Sequence, residues 1–138
     1  MEPVPIRVFL VEDDEDDYIL LIDDNPEDRL LTRRELTQVV PQLQIIEVKE
    51  QQELGPILQA GGFDVVITDY HLGWSTGLAI LESVKMHLPR CPVLMFTATG
   101  SEEVAVEAMK AGLDDYILKS PKHFIRLSAA VRYRRGDT

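Results

Sequence analysis

Apolar residues gather in short runs of strand length, and the stretches between them repeat apolar positions every three or four residues. Ile19-Leu20-Leu21-Ile22 reads as a buried strand, Leu43 to Val48 as a second, Phe63 to Thr68 as the clearest, Pro92 to Thr97 as a fourth and Asp115 to Leu118 as a fifth. Asp23-Asp24-Asn25-Pro26 offers a cap and a proline suited to the first helical position, so a helix should run to about Gln38 with Leu30, Leu31 and Leu36 inward. Gln51 to Ala60 is a second helix, which Gly55-Pro56 should shorten or bend. A third runs from about Gly77 to Leu88, with Leu78, Leu81, Val84 and Leu88 at helical spacing; a fourth, Glu102 to Ala111, stops at Gly112. The last, Pro121 to Arg135, carries Phe124, Leu127 and Val131 on one side and Arg132, Arg134 and Arg135 at the end where cations complement the helix dipole. Five βα units in succession predict an α/β fold: a doubly wound parallel sheet with helices on both faces and right-handed crossovers.

The 138 residues suit a single domain, and 45% hydrophobic with 28% charged residues describes a globular chain. The longest apolar stretch is too short to span a membrane, and no secretory segment opens the chain. A lone Cys91 excludes an internal disulfide and fits the cytoplasm. Twenty-four acids against 14 bases argue against direct binding of nucleic acid, which needs clustered Lys and Arg. The charge is lopsided: residues 1–30 hold 11 acids and only Arg7 and Arg29, so -9 of the net -10 lies there. The run Glu12-Asp13-Asp14-Glu15-Asp16-Asp17 reads most simply as a solvated, self-repelling stretch.

In open parallel sheets chemistry collects beyond the carboxyl ends of the strands. Those ends carry Asp23 and Asp24, then Asp69, Thr97 and Lys119. Three crowded carboxylates either retain protons or share a cation, and a hard oxygen site with few bases favours Mg²⁺. Such a rim suits phosphoryl transfer to a carboxylate, where the protein chiefly positions groups and neutralises charge. Asp69 would be the nucleophile, with Lys119 and Thr97 on phosphoryl oxygens. Taken singly, Asp23, Asp24 or Asn25 could simply cap a helix, Asp69 start a loop, Thr97 fill a strand and Lys119 be solvated; their convergence on one rim carries the reading.

These residues resemble a response-regulator receiver domain, the phosphoacceptor module of two-component signalling. The resemblance covers about Ile19 to Arg135 and rests on Leu-Ile-Asp-Asp-Asn-Pro at 21–26, Asp-Val-Val-Ile-Thr-Asp at 64–69, Phe-Thr-Ala at 96–98 and Asp-Tyr-Ile-Leu-Lys at 115–119. It implies a flavodoxin-like five-stranded sheet of order 2-1-3-4-5, with Asp69 taking a phosphoryl group from a sensor histidine kinase or phosphotransfer protein. It further implies Mg²⁺ or Mn²⁺ held by Asp23, Asp24, Asp69 and the backbone carbonyl of His71, phosphate contacts from Thr97, Lys119 and the Ala98 backbone, and a switch pair of Thr97 and Tyr116. A changed surface on the fourth helix, fifth strand and fifth helix would then control a downstream partner or attached output, with a homodimer as one assembly. The module is not an enzyme beyond phosphorylating and dephosphorylating itself. For Tyr116 a plain packed aromatic is the alternative.

Some positions depart from the family pattern. Gly73 stands where proline is usual, which should loosen that loop. Lys119 is followed by Ser120 before Pro121, so the family's cis Lys-Pro bond cannot form. His71 and Thr99 occupy places that tune phosphoryl lifetime, and Trp74 could be plain surface or a partner contact. Val8 to Asp14 resembles a first strand and acidic pair in its own right, repeated by Ile19 to Asn25. That register, with Glu12 and Asp13 as the pair, would force a helix through Pro26, so Asp23 and Asp24 are preferred. Residues 1–18 then form an acidic extension, partly strand-like or loose, 19–135 the receiver and 136–138 a tail; no output domain fits after Arg135 within this sequence. Two other readings remain: a receiver-like interaction module without phosphorylation, and an aspartyl phosphatase. The latter would want an acid two residues beyond Asp69, where His71 stands.

Overall fold

The computed structural model describes residues 18–98, 100–120 and 124–135. The expectations for the acidic run, the alternative Glu12–Asp13 register, Thr99 and the start of the last helix at Pro121 lie outside these residues. In chain order the elements are β1 (Tyr18–Ile22), α1 (Pro26–Val39), β2 (Gln44–Val48), α2 (Gln51–Ala60), β3 (Val65–Thr68), β4 (His71–Leu72), β5 (Ser75–Thr76), α3 (Gly77–His87), β6 (Val93–Thr97), α4 (Glu102–Lys110), β7 (Asp115–Leu118) and α5 (Phe124–Arg135). The main sheet is parallel with order β2-β1-β3-β6-β7, which is 2-1-3-4-5 once the small β4–β5 hairpin is set aside.

Continuous apolar strands follow from burial on both faces. In β1, Leu20 and Ile22 pack under α2 and α3 with Leu58, Ile80 and Leu81, whereas Ile19 and Leu21 face Leu36, Leu127 and Val131 of α1 and α5. Every residue of β1, β3 and β6 is buried. Since β1 and β3 lie at the centre, their carboxyl ends bring Asp23 and Asp69 side by side: the Asp69 N–H donates to the Ile22 carbonyl at 3.0 Å, one step beyond the β1–β3 pairing.

Two helical expectations are corrected. Leu30 and Leu31 are 54% and 45% exposed, because the inward stripe of α1 is made by Thr32 and Leu36. The guanidinium groups of Arg29 and Arg33 reach Glu47 on β2, at 3.0 and 2.7 Å, and Arg29 also donates to the Asp23 carbonyl at 2.7 Å. The second helix is not shortened: α2 runs through Pro56, which is exposed along with Gln52, so the carbonyl that loses its helical donor can be hydrated. A capping box between Glu50 and Glu53 starts that helix.

Burial raises the Glu47 carboxyl, but hydrogen bonds and charge from Arg33 and Arg29 outweigh it and leave the group below its ordinary value of 4.5. Its stabilising contribution is present above pH 4.5 and lost as pH falls through the lowered folded value. Glu47→Gln should therefore destabilise the protein by about 1 kcal/mol at pH 7, and the difference should vanish in acid, as read by denaturant melts at several pH values.

Candidate functional site

The rim is assembled by elements that are themselves fixed. The Lys119 N–H donates to the Thr97 carbonyl at 2.8 Å, carrying the β6–β7 pairing one residue past Leu118. From there the Lys119 ammonium lies 5.9 Å from the Phe96 ring centroid and donates to Asp23 Oδ2 at 2.8 Å, Asp28 Oδ2 at 2.7 Å and Asp69 Oδ2 at 2.8 Å. All three N–H bonds of one ammonium are thus used on three carboxylates, and the side chain is only 7% exposed. Asp69 Oδ1 accepts the Tyr70 N–H at 2.6 Å, and Asp23 Oδ1 accepts the Asn25 N–H at 2.9 Å.

Asn25 caps α1, its side chain accepting from the N–H groups of Glu27 and Asp28, with Pro26 in the first turn as expected. The cap sets Asp28 at the third helical position, turned towards Lys119. Sequence reading missed Asp28, which looked like one more charge in an acidic segment; its signal was its place in the first turn after the strand-end pair.

Three carboxylates around one ammonium leave the cluster two charges negative. Burial raises the Asp23 carboxyl above its ordinary value, against the pull of Lys119 and the Asn25 N–H. For Lys119 burial acts downward, yet the hydrogen bonds from Asp23, Asp28 and Asp69 dominate and hold it raised, so it stays charged. Oxygens of Asp23, Asp28 and Asp69 all lie within 4.8 Å of one another, a hard donor set that fits a cation such as Mg²⁺. Asp24 lies outside that trio: it is exposed, and its Oδ2 accepts the Gly73 N–H at 2.6 Å.

The loop after β3 is tied down despite Gly73. His71 pairs with Thr76 and Leu72 with Ser75, and the Gly77 N–H donates to the Tyr70 carbonyl at 2.7 Å. His71 is exposed, with its ring edge-on to Tyr70 at 4.9 Å. Trp74 is not a free surface aromatic: it is partly buried against the core and its indole N–H donates to the Lys49 carbonyl at 2.8 Å. Thr97 is fully buried at the end of β6, and Ala98 beyond it is exposed.

Tyr116 is half-buried on β7; its hydroxyl is buried and finds no hydrogen-bond partner among the described residues. Burial, with lesser contributions from Tyr70 and Asp69, pushes that hydroxyl pKa up. A Cβ on Gly100 would overlap the hydroxyl itself, so the glycine makes room for the inward ring. Gly100→Ala is expected to turn Tyr116 outward at a cost of about 1 kcal/mol. A crystal structure of the variant checks this, and an unmoved ring would contradict it.

Among the described residues no helix is long and apolar enough to cross a membrane. The sequence profile of the response regulator receiver domain matches residues 19–132. The response regulator protein PilR of Pseudomonas aeruginosa is 33% identical over 100 residues, 72% of this chain and 22% of that protein. The chain therefore spans about a fifth of the length of that relative. A response regulator of Burkholderia pseudomallei, whose crystal structure contains a phosphorylated aspartic acid, a calcium ion and citrate, superposes with a TM-score of 0.73 at 26% identity, covering 87% of this chain and 69% of that one. TrrA of Thermotoga maritima, solved in complex with Mg²⁺ and a beryllium fluoride, shares the fold with a TM-score of 0.74 at 24% identity over 86% and 98% of the two chains.

Proposed function

Because the chain belongs to the response regulator receiver domain family, a signalling module of two-component systems, we propose that Asp69 accepts a phosphoryl group from a sensor histidine kinase or phosphotransfer protein. The observation that carries this reading is the Lys119 ammonium, 2.8 Å from Asp69 Oδ2 in a rim of three carboxylates. A carboxylate oxygen of Asp69 attacks phosphorus, the P–N bond of the donor phosphohistidine breaks, and the donor imidazole leaves with the bonding pair. Asp23, Asp24 and the His71 carbonyl, with Asp69, would hold Mg²⁺ or Mn²⁺, which when bound supplies positive charge against the phosphoryl oxygens. Lys119, the Thr97 hydroxyl and the Ala98 N–H take those oxygens.

The Thr97 hydroxyl and the Tyr116 ring then act as the switch pair: phosphorylation shifts the population towards the state in which the hydroxyl turns to a phosphoryl oxygen and the ring is held in its inward place. The face of α4, β7 and α5 exposes Val106, Met109, Leu118 and Ile125, apolar side chains fit to meet a downstream partner, an attached output or a second copy of the chain. Residues 19–135, with Tyr18 as the first residue of β1, are the receiver, and the acidic residues before it an extension. With small phosphodonors the domain phosphorylates itself, and it later dephosphorylates itself.

Incubation with acetyl phosphate and Mg²⁺ should add one phosphoryl group to the wild type, detected by intact mass, and none to Asp69→Asn. Equal labelling of both would overturn the assignment.

A further inference from the structure

We propose that Asp28 is a positioning residue for Lys119, fixing the ammonium where it can pass from Asp69 to the phosphoryl group; this rests on the reading given under Proposed function. Lys119 divides its three donors among Asp23, Asp28 and Asp69. Two of those acceptors change on activation. Asp69 loses a charged oxygen when it becomes an acyl phosphate, and Asp23 is drawn to the metal. Asp28 is the third: although its oxygen belongs to the acidic trio, it is not among the cation ligands given under Proposed function, and its helical turn is anchored separately from both events. Its N–H is held by the Asn25 cap at 3.2 Å, and the neighbouring Arg29 ties the same first turn to the Asp23 carbonyl and to Glu47 on β2. With Asp28 in place, the ammonium stays put and exchanges only the Asp69 oxygen for a phosphoryl oxygen.

Charge alone makes the opposite forecast, which allows a clean test. Asp28 adds negative charge beside an anion site, so by Coulomb's law its neutralisation should tighten anion binding. If Asp28 positions Lys119, neutralisation should weaken it. Trifluoroberyllate is titrated into the full chain at saturating Mg²⁺, with Mg²⁺ affinity measured separately. Asp28→Asn is expected to bind trifluoroberyllate about tenfold more weakly than wild type. Asp28→Ser, well tolerated in a first helical turn, should show the same loss and carries the test if the amide variant folds poorly. Asp28→Glu should recover most of the affinity. Glu27→Gln, which makes the same charge change on the exposed side of that turn, should bind as tightly as wild type or tighter. Unchanged or tighter binding by both Asp28→Asn and Asp28→Ser would overturn the positioning role alone; a wild type that binds no trifluoroberyllate would overturn the receiver reading as well.

Discussion

Lys119→Met is expected to weaken trifluoroberyllate binding roughly 30-fold, equivalent to about 2 kcal/mol for a lost charge-assisted hydrogen bond to the anion, and to tighten Mg²⁺ binding in the same protein. The opposite signs follow from the geometry: the ammonium donates at once to Asp23 and Asp69, so removing it deletes a phosphoryl ligand and a competitor for the metal's carboxylates together. Without divalent cation the variant should also lose about 3 kcal/mol of stability at neutral pH, since three mutually repelling carboxylates then lack a counter-ion. Burial already raises the Asp23 carboxyl above 3.8, and without Lys119 that rise is no longer opposed. A raised folded value contributes stability that is present in acid and lost as pH rises through it, so the deficit should be small below pH 3.8 and grow towards neutrality. Titration calorimetry and denaturant melts with and without Mg²⁺ check each part. Parallel loss of metal and anion affinity would contradict the arrangement.

The second large effect is expected at Gly77, the first residue of α3. A Cβ there would stand 2.7 Å from the Asp69 carbonyl oxygen and 2.9 Å from the Tyr70 Cα, both backbone atoms, and 3.0 Å from the Met95 side chain. Since backbone cannot turn aside as a side chain can, Gly77→Ala should push the Asp69–Tyr70 segment away from α3, costing about 2–3 kcal/mol by overpacking. Because the moved residue is the phosphoacceptor of the proposed reaction, acetyl phosphate labelling should slow at least tenfold even at temperatures where the variant is folded. Full labelling speed together with wild-type stability would show that the loop absorbs the methyl group.

Much of the fold and of the rim is legible in the amino-acid sequence. A parallel sheet buried on both faces writes itself as uninterrupted apolar runs, so β1, β3 and β6 could be read directly, and the rule that chemistry gathers at strand ends singled out Asp23, Asp69 and Lys119. What the sequence hid depends on where long side chains reach. Leu30 and Leu31 look like core residues until Thr32 and Leu36 take the inward stripe and Arg29 and Arg33 reach across to Glu47. Asp28 looks like solvated charge until the Asn25 cap sets its turn and its carboxylate meets Lys119. Trp74 looks free until its indole finds the Lys49 carbonyl, a contact between segments 25 residues apart. Gly77 and Gly100 carry no side-chain signal at all; their need for a missing Cβ comes from backbone and tyrosine brought close only by the fold.

The most direct test of phosphoryl acceptance at Asp69 is ¹⁹F NMR of the protein with beryllium, fluoride and Mg²⁺. The wild type should show bound trifluoroberyllate resonances that disappear when Mg²⁺ is withheld, and Asp69→Asn should show none. No bound signal from folded wild type, or equal signals from both proteins, would contradict it.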